Sequence, residues 1–356
     1  MQNKIFLAKF KTTDQLNLVK KKVKQLFQIA KFDQIVSKFD LTAVKVHFGE
    51  KGNSSFVPAD YIEPIVRKIK SLGAKPFLSD TNVLYKSNRD NAVNHIALAY
   101  EHGFTFEKVG APVIIADGIA GNNEIEIAIN APMNKKVAIA ADFIHSDSII
   151  MVSHATGHIA TGLGAAIKNL GMGMSARKGK LIQHTVSKPI ISKSKCTACG
   201  NCIKWCPEDA IILKADYAEI IDKQCIGCGE CLTVCRQDAV KFRWDSSSSE
   251  LQKQIAEHAL GIVKEKAGKI GYLTFLINMT KDCDCMAQEP ISIIDDIGVI
   301  AGRDPLAIDQ ALLDLTNNKE GKNLQEKAYP NISYNTQLEY GEKIGLGSRE
   351  YDLVEI

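Results

Sequence analysis

Short apolar runs alternate with longer amphipathic segments along most of this chain. Residues 4–10 form an apolar run that predicts a strand, and 14–38 carry a helical period with one break. Residues 43–48 alternate as a strand does, and end in the small-residue loop 49–55. Pro58 suits the first turn of a helix that continues over 61–72 and is stopped by Gly73. A strand at 75–79, a helix at 89–102 stopped by Gly103, and strands at 113–116, 137–140 and 148–153 follow. The same rhythm resumes late in the chain. A serine-rich linker at 245–249 caps a helix over 250–266, then come a long apolar strand at 269–278, another at 297–301, and a helix from Pro305 to about residue 315. Strands separated by amphipathic helices predict an α/β fold: a mostly parallel sheet with crossover helices.

Between the two halves the rhythm changes, and eight of the ten cysteines of the 356-residue chain gather there. One run reads Cys196-Thr-Ala-Cys199-Gly-Asn-Cys202-Ile-Lys-Trp-Cys206-Pro207, the other Cys225-Ile-Gly-Cys228-Gly-Glu-Cys231-Leu-Thr-Val-Cys235-Arg236. Both follow C-x2-C-x2-C-x3-C, the bacterial two-cluster ferredoxin spacing, in which the fourth cysteine of each run binds the other cluster. Cys196, Cys199, Cys202 and Cys235 are therefore expected to hold one [4Fe–4S] cluster, and Cys206, Cys225, Cys228 and Cys231 the second. The cysteines recur at an offset of 29, and so do Asp209-Ala210-Ile211 and Asp238-Ala239-Val240, which marks an internal duplication. Zinc takes paired CxxC ligands rather than four cysteines per run, and disulfide frameworks suit small secreted chains. The expected organisation is an α/β domain in two parts, 1–188 and 246–356. An inserted α+β ferredoxin-like module occupies 189–245. Two α/β lobes flanking the module are the alternative.

Composition is that of an ordinary globular protein, with 45% hydrophobic and 24% charged residues. A net charge of +3 gives no argument for nucleic-acid or membrane binding, and the basic stretch at 20–24 reads as a solvated helix face. The apolar part of residues 1–10 is too short for a secretory leader, and no stretch approaches 18 uninterrupted apolar residues. Thiolate-bound clusters fit a reducing interior, so a cytoplasmic location is expected.

In open α/β sheets, ligands bind beyond the carboxyl ends of the strands. His47, Asp80 and Asn82, and His154 fall there, His158 follows His154, and Cys283-Asp-Cys285 comes after the strand at 269–278. His47 and the two later histidines are open between binding and structural roles. Cys283 and Cys285 are too close for an easy disulfide, and stand either as two partly buried thiols or as a thiolate pair for a metal or a redox step. His95, His102 and His258, alone on helices, read as surface or satisfied residues. The glycine-rich segment 161–173 opens a helix whose amides, with Lys168, offer an anion site, set against close backbone packing as the alternative. It lacks both the dinucleotide and the P-loop signatures. His184 lies where this segment leads to the cysteines.

Several segments, Val44-Lys-Val-His47-Phe-Gly49-Glu, Ser79-Asp80-Thr-Asn82, His154-Ala-Thr-Gly-His158, residues 164–173, Asp282-Cys283-Asp284-Cys285 and residues 297–309, carry a family resemblance. The chain resembles the uncharacterised iron–sulfur-centre proteins of bacteria and archaea, in which a domain of unknown function carries an embedded two-cluster ferredoxin. That resemblance implies electron transfer and no particular substrate. The expected function is that of an iron–sulfur redox protein, with two clusters passing electrons to or from a site around His47, Asp80, His154, His158, His184, Cys283 and Cys285. A further metal there is a candidate cofactor, and a redox protein or small-molecule electron donor or acceptor is the expected partner. The alternative is a non-enzymatic carrier or cluster-bearing adaptor whose α/β domain docks a protein.

Overall fold

The computed structural model describes residues 3–184, 188–225, 230–241, 247–287 and 291–356. Eight strands form one sheet: β1 (Asn3–Lys9), β2 (Leu41–Lys45), β3 (Lys75–Asp80), β4 (Val113–Ile115), β5 (Ser148–His154), β6 (Ile270–Leu276), β7 (Gly298–Gly302) and β8 (Tyr351–Glu355). Their order is β8-β1-β7-β6-β5-β2-β3-β4. From β6 to β4 every neighbouring pair is parallel, as is β1 with β8. β7 runs antiparallel to both β1 and β6. No long helix separates β6 from β7, so the chain re-enters at the edge it left, which only an antiparallel strand allows.

β5 and β6 are buried along their whole length, which is why they read as near-continuous apolar runs. Ile149 and Met151 face one core layer, and Ile150 and Val152 the other. The first layer takes α4 (Ala166–Gly171), α6 (Ser248–Glu265) and α7 (Pro305–Glu320). The second takes α1 (Leu16–Ile29), α2 (Ala59–Ser71) and α3 (Ala92–Glu101). Ser247 and Glu250 form a reciprocal capping box at the start of α6, as the serine run implied.

The segment Lys136–Ala140 is a strand but leaves the main sheet. It pairs with Glu124–Ala128 in a hairpin, whose side chains Ile127 and Val137 close over Gly261 of α6. β8 escaped the sequence reading because it is a short edge strand with three of its five residues exposed and none buried.

Strands from both sides of the cysteine-rich segment pair directly, β5 with β6. Within that segment Ile190–Ile191 pairs with Val240–Lys241, which brings its two ends together, and Ile211–Leu213 pairs with Ala218–Ile220. Asp209 and Asp238, related by the repeat, both adopt left-handed backbone (φ 47° and 51°), so the duplication extends to local geometry.

Candidate functional site

A cavity of about 370 Å³ opens at the carboxyl ends of β2, β3, β5 and β6. His47, Asp80, His154, His158, Lys168, His184, Cys283 and Cys285, all singled out in the sequence, line it. The parallel register explains the convergence of His47, Asp80 and His154, which end or follow strands whose neighbours point the same way, while helices carry Lys168 and His184 to the same place. Asn82 does not join them. It turns back to bind the buried Asp117 carboxylate through its backbone N–H and its side chain.

The cavity floor is a set of buried ion pairs. Lys45 Nζ lies 2.9 Å from Asp80 Oδ1 and donates to Asn169 Oδ1 at 2.7 Å. Burial opposes the Asp80 charge, but Lys45, His47 and His95 hold its carboxyl well below the usual range. Arg89 pairs with Glu50 at 3.1 Å and donates to His47 Nε2 at 2.9 Å. Burial and the Arg89 charge keep His47 neutral. His154 differs. Its burial opposes a charge, yet Asp284 at 2.8 Å and the Ile277 carbonyl at 2.7 Å take both ring protons and raise its pKa. Asp284, drawn down to about 2 against the effect of burial, also accepts from Ser55 at 2.7 Å. The loop after His47 therefore clamps the Cys283–Cys285 segment.

His158 accepts from backbone amides at Nδ1 and sits 2.9 Å from Thr161 Oγ1. Burial lowers its pKa, and that of His184 falls to about 3, with Lys168 reinforcing both shifts. Lys168 itself is pulled down to about 8 by burial and by Arg89 and Lys45. Lys180 donates to Thr81 Oγ1 and to the Asn82 carbonyl.

Three sequence expectations change. Cys283 and Cys285 are joined in a disulfide, because the chain turns back between them and brings their Cα atoms to 5.3 Å. Two amides that open α4 already have an acceptor within the protein, the Asp309 carboxylate on α7, which accepts from Ala166 at 2.8 Å and Ile167 at 2.9 Å. His95 is neither at the surface nor satisfied. It is fully buried with both ring nitrogens unpartnered, 3.7 Å from Asp80. His258 is likewise buried, bonded through Nδ1 to the Gln254 carbonyl but unpartnered at Nε2, whereas His102 meets the Phe48 carbonyl and stacks on Phe56. Sequence reasoning missed Lys45, Arg89, Lys180 and Tyr85 as lining residues. Lys45 alone left a signal, a charge in the middle of a strand with apolar neighbours.

Cys196, Cys199, Cys202 and Cys235 line one small cavity together, the set that the crossed ligation pattern names. Burial and the three neighbouring sulfurs raise the Cys202 pKa. Backbone N–H groups reach two sulfurs, from Ala218 to Cys196 at 3.3 Å and from Ala210 to Cys206 at 3.2 Å. Cys225 and Cys231 are among the described residues, and Cys228 lies outside them. Cys202 and Cys231 share an apolar cluster with Leu84 and Leu181. Leu84 also lines the large cavity, and Leu181 sits on α5 (Arg177–His184), which carries Lys180 and His184 to it.

The profile of a domain of unknown function, DUF362, matches residues 42–314, most of the chain. The chain belongs to the DUF362 family. A stretch of 49 residues, 14% of this DUF362 chain, is 45% identical to the pyruvate synthase subunit PorD of Methanothermobacter marburgensis. It spans 57% of that subunit's length. Among solved structures, the lactate racemase apoprotein of Thermoanaerobacterium thermosaccharolyticum aligns with a TM-score of 0.39 at 11% identity, covering 78% of this chain and 51% of that one. A Thermotoga maritima protein from a structural genomics programme aligns with a TM-score of 0.36 at 9% identity, covering 72% and 51%. No helix among the described residues is long and apolar enough to cross a membrane.

Proposed function

We propose that this chain is an iron–sulfur redox protein whose two [4Fe–4S] clusters exchange electrons with a reaction site in the large cavity. Residues 189–245 form the cluster module, inserted into an α/β domain made of 1–188 and 246–356. The observation that carries the reading is Leu84, which lines the cavity and belongs to the same apolar cluster as Cys202 and Cys231. The crossed cysteine set around one small cavity and the N–H groups aimed at sulfur fit a cubane held by thiolates. The likeness to PorD, named as a subunit of a pyruvate synthase, supports an electron-transfer role with a protein partner. The exposed apolar side chains Trp205 and Leu213 offer such a partner a surface beside the cysteines. A cytoplasmic location goes with this chemistry.

Clusters supply one-electron transfer, and the cavity's own two-electron group is the Cys283–Cys285 pair. Its sulfur–sulfur bond takes two electrons and two solvent protons to give two thiols. A second use of the pair rests on geometry. Ligand atoms of His158, Cys283 and Cys285 lie within 4.8 Å of one another, a set that in the dithiol state suits a thiophilic cation such as zinc. Protein isolated without oxygen is expected to contain about eight irons and eight acid-labile sulfides per chain. Stoichiometric zinc, with no cluster absorption after anaerobic reconstitution, contradicts the reading.

A further inference from the structure

We propose that the cavity binds a small organic carboxylate whose anionic head sits on Lys168, an inference that rests on the cavity being the reaction site. Four long-chain cations line the cavity. Lys45 has Asp80, Arg89 has Glu50, and Lys180 has Thr81 and the Asn82 carbonyl. The Lys168 ammonium has no hydrogen-bond or ion-pair partner among the described residues. The side chain is half-buried in the cavity wall, where Asp284 and Asp80 act on it only at a distance and an ammonium with no directly paired carboxylate is costly. An anion entering the cavity supplies that charge and gains a charge-assisted hydrogen bond. Lys168 acts electrostatically on both His158 and His184, so those imidazoles stand around the same position.

The rest of the wall sets the class of anion. Val83, Leu84, Ile159, Ala165 and Met172 give the cavity apolar sides, which suit a short hydrocarbon body. A phosphate asks for several donors at once. The amides of Ala166 and Ile167, at the start of the helix that carries Lys168, are already held by Asp309. One ammonium facing apolar walls fits a monocarboxylate.

Calorimetric titration of the full-length, cluster-loaded protein under anaerobic conditions tests this, with benzoate, its neutral isostere benzamide and inorganic phosphate as probes. Benzoate is expected to bind at least about tenfold more tightly than benzamide or phosphate. Lys168→Gln is expected to lose about tenfold or more in benzoate affinity, and Lys168→Arg to restore part of it, with iron content unchanged throughout. Equal affinity for benzoate and benzamide, an unaltered Lys168→Gln, tighter binding of phosphate, or no benzoate binding each overturns the proposal. The electron capacity of the protein is read separately. A protein that binds benzoate through Lys168 but stores electrons only in its clusters refutes the redox reading and leaves the carboxylate site standing.

Discussion

At the residue scale, two buried ion pairs, Lys45–Asp80 and Arg89–Glu50, stand in the cavity wall. Lys45 is completely buried beside Asp80, and neither charge has water to fall back on. Replacing Lys45 by Met takes the paired ammonium from the buried Asp80 carboxylate, which is expected to cost about 3–5 kcal/mol, read as a lower denaturation midpoint. The double variant Lys45→Met/Asp80→Leu is expected to recover much of that loss, because removing both charges removes the penalty. A single variant as stable as the wild type contradicts the pairing. His47, Asp80 and His154 were legible in the sequence because the rule that finds them uses only strand ends. Arg89 and Lys180 were not, because each sits in a segment with the composition of a solvated helix or linker. Only the tertiary fold buries them.

At the element scale, the cavity depends on neighbouring segments being docked from a distance in sequence. Asp309 of α7 fixes the start of α4, and with it Lys168, while also accepting from Tyr334 at 2.7 Å. Burial raises the Asp309 pKa from 3.8 to about 6 despite those three donors. A carboxyl that binds its proton more tightly when folded favours the fold below its unfolded value and loses that advantage as pH rises through its folded value. The stability of the wild type relative to Asp309→Asn is therefore expected to fall by about 3 kcal/mol between about pH 4 and pH 6, then level off. A difference that does not change with pH contradicts the shift. Gly157 makes a second such contact. A Cβ there would lie 2.1 Å from the Lys281 carbonyl and 2.4 Å from Ala328 Cβ. Gly157→Ala is expected to push the 279–285 segment away from His154 and to speed proteolysis or amide exchange in that segment, while strands β2 and β3 stay protected. Unchanged exchange there contradicts the close packing.

The period of apolar residues located most of these elements, including β5, β6 and the capped start of α6. It could not locate the reversal of β7 or the departure of Lys136–Ala140 from the main sheet. Both are decided by which edge was free for pairing, a property of the assembled sheet. The amides expected to help bind an anion at the helix opened by 161–173 are held instead by Asp309, for a related reason. The competing acceptor, Asp309, lies more than a hundred residues away in sequence.

At the scale of the whole molecule, the cysteine-rich segment and the cavity share Leu84, which lines the cavity and belongs to the apolar cluster of Cys202 and Cys231. The cluster spacing was readable because it is local. The shared residue was not, since nothing in the sequence pairs Leu84 with Cys202 or Cys231. A link from clusters to cavity is what separates a redox enzyme from an adaptor that only carries clusters, and electron capacity measures the difference. Stepwise anaerobic reduction of oxidised, fully loaded protein counts electrons taken up per chain. If the clusters deliver to the cavity, the protein takes up about four electrons, two into the clusters and two into the Cys283–Cys285 bond, and the Cys283→Ser/Cys285→Ser variant takes up about two with the same iron content. An uptake of about two electrons by both proteins contradicts the account.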